Sequence, residues 1–394
     1  MWYHPYSWSP RTKLASATIL FTVVLIIIIA TPKRGYPYPT PPNPIYTLVD
    51  TYTGPSFFDK FTYFTEEDPT DGFVEYINPT LLSTTTTNNN NPQSQPQSQP
   101  QSKHHPHPLN LTHATHSSIT LRIDSNRNSN SNSKIKSIRI ESLPRYNTGL
   151  FIFDIRHTPH GCGLWPALWL SDASENWPDN GEIDVLEATN RGDAGNVVSL
   201  HTGRGCFMPG DGDGRVQTGI VTGNENGVCD VGIAKGNVMG CGVRGGVETF
   251  GSVFNEGGGG VYALEIHPSG IKVWFFPRGD IPADILTTIT TSTTTTTTRD
   301  NTPPPNPKKW GLPLAHFPNT HCPITTHFKN LQIIANIDIC GQNAGHPTTY
   351  TAQDGCPGTT CEDYVRENLQ EVGQEAYWEF GGFWVFQAIA GGTN

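Results

Sequence analysis

The sequence predicts an all-β fold, a sandwich or barrel of short antiparallel strands, on three observations. Gly (40) and Pro (33) are abundant among 394 residues, and both disfavour helix interiors. Apolar residues alternate with period two in 134–140, 261–266, 271–276, 331–337 and 383–387, the signature of half-buried strands. Clusters of Gly, Pro, Asn and Asp separate these runs and read as turns. In 134–140, Ile135 and Ser137 share one face. No glycine-rich phosphate loop or GxGxxG turn opens a helix, and no internal repeat is present. The net charge of −10 leaves no basic footprint for nucleic acid.

The ends and the tracts differ from this body. Residues 14–30 (LASATILFTVVLIIIIA) are uncharged and follow Arg11 and Lys13. About 17 apolar residues is the lower limit for crossing a bilayer. Lys33 and Arg34 follow without a small-x-small cleavage site. The expectation is an uncleaved signal-anchor, with 1–13 a cytoplasmic tail. The protein is then a single-pass type II membrane protein whose C-terminal part is extracellular or lumenal; cleavage would instead secrete it. Residues 31–55 read as a Pro-rich stalk and 56–394 as the folded domain. The tracts 81–109 and 287–309 hold almost nothing to bury and are expected to be disordered surface insertions; 125–134 reads as a shorter loop of the same kind.

Eight cysteines, Cys162, Cys206, Cys229, Cys241, Cys322, Cys340, Cys356 and Cys361, lie beyond the apolar segment. An even count on the exported side implies disulfides. Their spacings match no zinc pattern, and the pairing stays open. Asn110-Leu111-Thr112 is an N-glycosylation sequon.

The chemistry concentrates in 177–190 (WPDNGEIDVLEATN), where Glu182, Asp184 and Glu187 sit among strand formers. In a regular strand Glu182 and Asp184 share a face and Glu187 points away. One β-bulge between Asp184 and Glu187 returns Glu187 to that face. Such a row of like charges raises at least one pKa. That suits glycoside hydrolysis, which needs one ionised and one protonated carboxyl across the scissile bond. A solvated acidic edge or a Ca²⁺ site is the alternative that the acids alone leave open. Trp165, Trp169 and Trp177 cluster just before the acids, and indoles stack on the apolar faces of sugars.

The flanks narrow the choice. The segments GLFIFDIRHTPHGCGLWPALWL, NWPDNGEIDVLEATN, SLHTGRGC, VWFFPRGDIPADI, HFKNLQIIANIDICGQNAG and EAYWEF resemble the laminarinase-like, fungal-type endo-1,3(4)-β-glucanases of glycoside hydrolase family 16. The resemblance runs from about Asp68 to the C-terminus. It implies a β-jelly-roll sandwich of two antiparallel sheets with a concave substrate cleft. It further implies Glu182 as nucleophile, Glu187 as general acid/base, and Asp184 as the group that hydrogen-bonds the nucleophile. His201 would lie near the leaving-group side, and Trp165 and Trp177 would line the cleft, while Trp169 would pack inside. The implied partner is a β-glucan polysaccharide, with no cofactor, no metal and a monomeric chain. Where the family pattern reads C-G-x-W-A-G, this chain has Asn343 after Cys340-Gly-Gln, so one sugar-stacking aromatic is replaced. A non-catalytic β-glucan-binding protein and a cell-wall transglycosylase are the competing readings. The retained glutamates argue against the first, and the two residues between Asp184 and Glu187 argue against the second.

Overall fold

The computed structural model describes residues 44–80, 110–126, 133–173, 176–208, 216–223, 227–231, 240–291 and 304–389. The apolar segment 14–30 and the tract 81–109 lie outside the described residues. Among those described, no helix is long and apolar enough to cross a membrane.

Two eight-stranded antiparallel sheets carry the fold. The back sheet runs in the order Ala315–Pro318, Gly270–Pro277, Gly260–His267, Gly149–His157, Tyr377–Ile389, Ile119–Arg122 and Thr112–Ala114. Its eighth strand, Ile45–Tyr52, pairs along residues 383–389 of the long strand Tyr377–Ile389, whose residues 377–380 pair with Ile119–Arg122. The front sheet runs Ile220–Gly223, Cys241–Arg244, Val197–His201, Glu182–Glu187, Leu164–Ser171, Gln332–Ile339, Arg139–Ser142 and Phe61–Tyr63. A small parallel pair, Val74–Tyr76 with Ile135–Ser137, stands apart.

Alternation explains the sandwich. Leu164, Leu168 and Leu170 on one front strand, with Ile183, Leu186 and Leu200 on the next two strands, are fully buried. They meet Phe151, Phe153, Tyr262, Leu264 and Phe383 of the back sheet in one continuous core. Each such side chain contributes about 1.5–3 kcal/mol on burial. The back sheet is apolar on its other face too. There Leu150, Ile152, Trp274, Phe276 and Trp384 pack under Ile285, Ile289 and Trp310, so a helix, Ala283–Thr291, covers it.

Three boundaries differ from the sequence expectation. The stalk expected over 31–55 ends earlier, because Ile45–Tyr52 is a strand with Tyr46 and Tyr52 buried. Tyr46 Oη donates to Glu265, and Tyr52 and Tyr146 share a hydrogen bond of 2.6 Å. The tract expected as a loose insertion over 287–309 is anchored at both ends. Residues 287–291 finish the covering helix with Ile289 buried, and Asn306 N–H donates to Asp284 at the other end; only 292–303 lie outside the described residues. The run 134–140 is two strands rather than one. Ile135 and Ser137 are buried on one parity and Ile138 and Ile140 on the other, because the chain changes sheets there.

Eight cysteines form four disulfides: Cys162–Cys356, Cys206–Cys322, Cys229–Cys241 and Cys340–Cys361. Asn110 is exposed at the start of its sequon, with Leu111 buried beside it.

Candidate active site

The strand Glu182–Glu187, hereafter the acid strand, lies in the middle of the front sheet. Gly181 admits it: at φ +78 a Cβ would come within 2.4 Å of the His327 carbonyl oxygen. Glu182, Ile183 and Asp184 then pair in register with Ser171, Leu170 and Trp169. The register slips between Asp184 and Leu186, after which Glu187 stands opposite Ala167. This is the bulge that the spacing of the acids requires, with Val185 as the extra residue. Ile183 and Leu186 point into the core, and Glu182, Asp184 and Glu187 share the outward face.

Each glutamate has its own indole. Trp177 Nε1–H donates to Glu182 Oε2 at 2.9 Å, and Trp165 Nε1–H donates to Glu187 Oε1 at 2.7 Å. Trp177 is 48% exposed, so its ring is open to a ligand while its nitrogen holds the carboxylate. Trp169 is half-buried on the face shared with Trp165 and Ala167, because it stands opposite Asp184. Its indole N–H donates to Asn336 Oδ1. The expectation that Trp169 packs inside is therefore corrected: strand parity sets it beside Trp165.

His201 occupies the position opposite Glu182 on the next strand. Its Nε2 lies 3.1 Å from Asp184 Oδ2 and 3.9 Å from Glu182 Oε1. The resemblance implied the leaving-group side. The pairing register sets His201 across from Glu182, with its Nε2 nearest the middle acid, Asp184. Arg139 also reaches the site. Its guanidinium stacks 4.3 Å from the Phe64 ring and 5.0 Å from Trp169, pairs with Glu141 at 2.8 Å, and favours the ionised form of Glu182. Period-two reading of 134–140 contained Arg139 but no signal of which sheet it would join.

Burial and mutual repulsion set the charges. Glu187 is pushed up to about 7, first by burial and then by Asp184, against the pull of the Trp165 hydrogen bond. Glu182 is raised by burial, and His201, the Trp177 hydrogen bond and Arg139 oppose that rise. Asp184 is raised by burial and by Glu182, against the His201 hydrogen bond. Burial alone would depress His201, but the hydrogen bond to Asp184 and the charges of all three acids lift it to about 10. At neutral pH the row therefore holds an imidazolium–carboxylate pair at its centre, a glutamate with cationic support at one end, and a glutamate near half-protonation at the other. Unlike surroundings for two paired carboxyls are the arrangement that separates a nucleophile from an acid.

The loop after Cys340 borders the Trp165 end. A Cβ on Gly341 would lie 3.3 Å from the Trp165 ring, and Asn343 is half-buried two residues on, in the short helix Gly341–Ala344. Among the described residues two groups bring metal-capable atoms within 4.8 Å of one another: Glu182, Asp184 and His201, and, elsewhere, His157, His160 and Glu375. In the second, His157 Nε2 lies 3.0 Å from Glu375 Oε2, and Asn255 Nδ2 already faces His160 Nδ1 at 3.3 Å.

A two-sheet sandwich bearing an indole-lined row of carboxyls on one face is the framework of a polysaccharide-cleaving enzyme. Residues 87–386 match the XgeA-like catalytic domain of glycoside hydrolase family 16, and the chain belongs to that family. It is 34% identical over 343 residues to a probable glycosidase of Schizosaccharomyces pombe, covering 87% of this chain and 69% of that protein. It is 33% identical over 346 residues to an endo-1,3(4)-beta-glucanase of Arthroderma benhamiae, covering 87% and 65%. Against a probable endo-1,3(4)-beta-glucanase of Aspergillus clavatus the identity is 33%, and the chain spans 46% of that protein's length. Laminarinase 16A of Phanerochaete chrysosporium, solved with two beta-glucans in donor and acceptor sites, superposes with a TM-score of 0.71 at 36% identity, covering 87% of this chain and 99% of that one. An elongating family 16 beta-1,3-glucosyltransferase superposes with a TM-score of 0.69 at 32% identity, covering 87% and 100%. The strand Ile45–Tyr52 lies before the matched span yet belongs to the back sheet.

Proposed function

We propose that the chain is an endo-acting β-glucanase that hydrolyses internal β-1,3 or β-1,4 bonds in 1,3-containing glucans with retention of configuration. One observation carries this reading: Glu182 and Glu187 bracket a row of three carboxyls on one strand face, each glutamate held by its own indole N–H, with His201 against Asp184 between them. Glu182, supported by Trp177, Arg139 and His201, attacks the anomeric carbon. Glu187 protonates the departing glycosidic oxygen, then deprotonates the water that releases the covalent glycosyl-enzyme. Asp184 keeps His201 charged, and that imidazolium favours the ionised nucleophile. Trp165 and Trp177 supply the floor of a concave cleft on which sugar rings stack. The half-buried Asn343 offers no ring at the Cys340 loop, so binding there rests on hydrogen bonds.

A second reading, transfer to a sugar hydroxyl rather than water, is favoured by the similarity to an elongating beta-1,3-glucosyltransferase. Incubating the protein with laminarin, lichenan, barley β-glucan and cellulose and resolving the products decides between them. Hydrolysis gives shorter oligosaccharides whose first-formed anomer is β by proton NMR. Products longer than a laminari-oligosaccharide substrate identify transfer, and a first-formed α-anomer overturns the retaining assignment.

The segment 14–30 is proposed to anchor the chain with the sandwich on the extracellular or lumenal side. Four disulfides support an oxidising compartment, where Asn110 can also be glycosylated.

A further inference from the structure

The bulge that returns Glu187 to the reactive face disturbs the hydrogen-bond ladder beside it. Pairing between the acid strand and Val197–His201 covers only Glu182, Ile183 and Asp184, opposite His201, Leu200 and Ser199. Beyond it the Val185 carbonyl and the Glu187 N–H have no strand partner on that side. Continuing the same register brings Glu187 opposite Asn196, one residue before that strand begins.

Asn196 meets both groups with its side chain. Its Nδ2 donates to Val185 O at 2.9 Å, and its Oδ1 accepts from Glu187 N–H at 2.8 Å. The amide thus stands in for the backbone peptide that the bulge displaced. Asn196 is itself fully buried and held from both ends. Its N–H donates to Thr249 Oγ1 at 2.9 Å, and its carbonyl accepts from Gly245 N–H at 2.9 Å. Gly195, at φ +87, lets the chain enter here, since a Cβ would come within 2.2 Å of Gly246 O. Asparagine suits the position chemically. It offers a donor group and an acceptor group on separate atoms at short reach, whereas aspartate would aim a second acceptor at the Val185 carbonyl and serine has a single, shorter-reaching oxygen for both tasks.

We propose that Asn196 is the positioning residue for Glu187: by clamping the bulge on both sides of Leu186, it fixes where the Glu187 carboxyl meets the Trp165 indole. The inference rests on Glu187 being the acid/base. Asn196 touches no reacting atom and acts through the backbone of Glu187, while its amide also faces the buried Tyr262 hydroxyl. Its removal lets the bulge shift or flatten, which moves the proton donor but leaves Glu182, Trp177 and His201 in place. The defect therefore falls on steps that need proton transfer.

The test uses Asn196→Ala and Asn196→Ser in the full chain, with Glu187→Ala in parallel. A core change on the back sheet, Ile266→Val, is the control for general destabilisation. Each is assayed on laminarin and on a dinitrophenyl β-laminaribioside, whose leaving group needs no proton, with and without azide, and each is followed by thermal unfolding. The expected result is a roughly 100-fold fall in kcat on laminarin, the scale of an ångström-level misplacement, with KM within about twofold. The first step on the dinitrophenyl substrate falls much less, azide raises turnover and yields β-glycosyl azide, and the alkaline limb of the kcat/KM profile moves. Equal losses on both substrates, without azide rescue and in proportion to the lowered midpoint as for Ile266→Val, overturn the proposal; so does failure of both Asn196 variants to fold. If Glu187→Ala keeps laminarin activity, the acid/base reading itself fails. If Glu187→Ala loses it and gives the β-azide while the Asn196 variants remain near wild type, the positioning role alone fails.

Discussion

Glu182 and Glu187 are the same residue type on the same strand face, but their neighbours differ: Trp177 and His201 beside the first, Trp165 beside the second. Glu182→Ala is expected to abolish turnover on laminarin, and azide is expected to restore reaction through an α-linked azide, because a small anion enters the emptied space. Glu187→Ala is expected to spare the first step on substrates with good leaving groups and to give a β-azide, since the covalent intermediate still forms. Exchanged stereochemistry would exchange the roles. The pH profile follows from the same pair. On the proposed roles, activity is expected to fall on the acid side as Glu182 takes a proton and on the alkaline side near pH 7 as Glu187 gives its own up. Stability carries a matching sign. Between the ordinary value of 4.5 and about 7 the folded protein holds the Glu187 proton that the unfolded chain releases. That contribution is complete below 4.5 and disappears as pH rises through about 7. Glu187→Gln has no proton to lose, so its unfolding midpoint is expected to exceed wild type by a few degrees at about pH 8 and to match it at about pH 4. A midpoint difference of the same size at both pH values would show that the carboxyl is not strained by its surroundings.

At the scale of elements, the two pieces that composition set aside belong to the body. A chain beginning at residue 56 loses Tyr46 and Tyr52 with their hydrogen bonds to Glu265 and Tyr146. It also bares the edge of Tyr377–Ile389, so its midpoint is expected to fall by more than about 5 °C. Ile289→Ala, in the helix that covers the back sheet, is expected to cost about 2 kcal/mol in chemical unfolding. Deletion of 287–307 is expected to cost more, because it also removes the Asn306 bond to Asp284; an unchanged midpoint would return the whole tract to the status of a loose insertion. A Thr-rich stretch hid this helix. Only Ile285 and Ile289, four residues apart, mark its buried side, too few to register as a period.

At the scale of the whole molecule, two disulfides tie distant parts of the chain, with separations of 194 and 116 residues, and two close short loops of 12 and 21. Cys340–Cys361 secures the loop that borders Trp165, and Cys162–Cys356 secures the entry to the tryptophan-bearing strand. A thiol titration of the denatured, unreduced protein is expected to find no reactive cysteine, and eight would contradict the oxidised state. Reduction is expected to lower the unfolding midpoint, and the two longest closures contribute most if loop entropy governs the effect.

Local order in the chain was enough for the all-β class, the carboxyl row, its bulge and the two indoles, because strand parity is a property of neighbouring residues. The acids at 182, 184 and 187 can share a face in only one economical way, and Trp165 and Trp177 lie close by in the chain. Contacts between distant segments were a different matter. Which cysteines pair, that His201 stands across from Glu182, that Trp169 turns outward, that Arg139 arrives from another strand and that Asn196 clamps the bulge are all consequences of sheet order and register. Those follow from how two whole sheets close over a shared core, a balance of burial summed across the molecule that no short window of sequence contains.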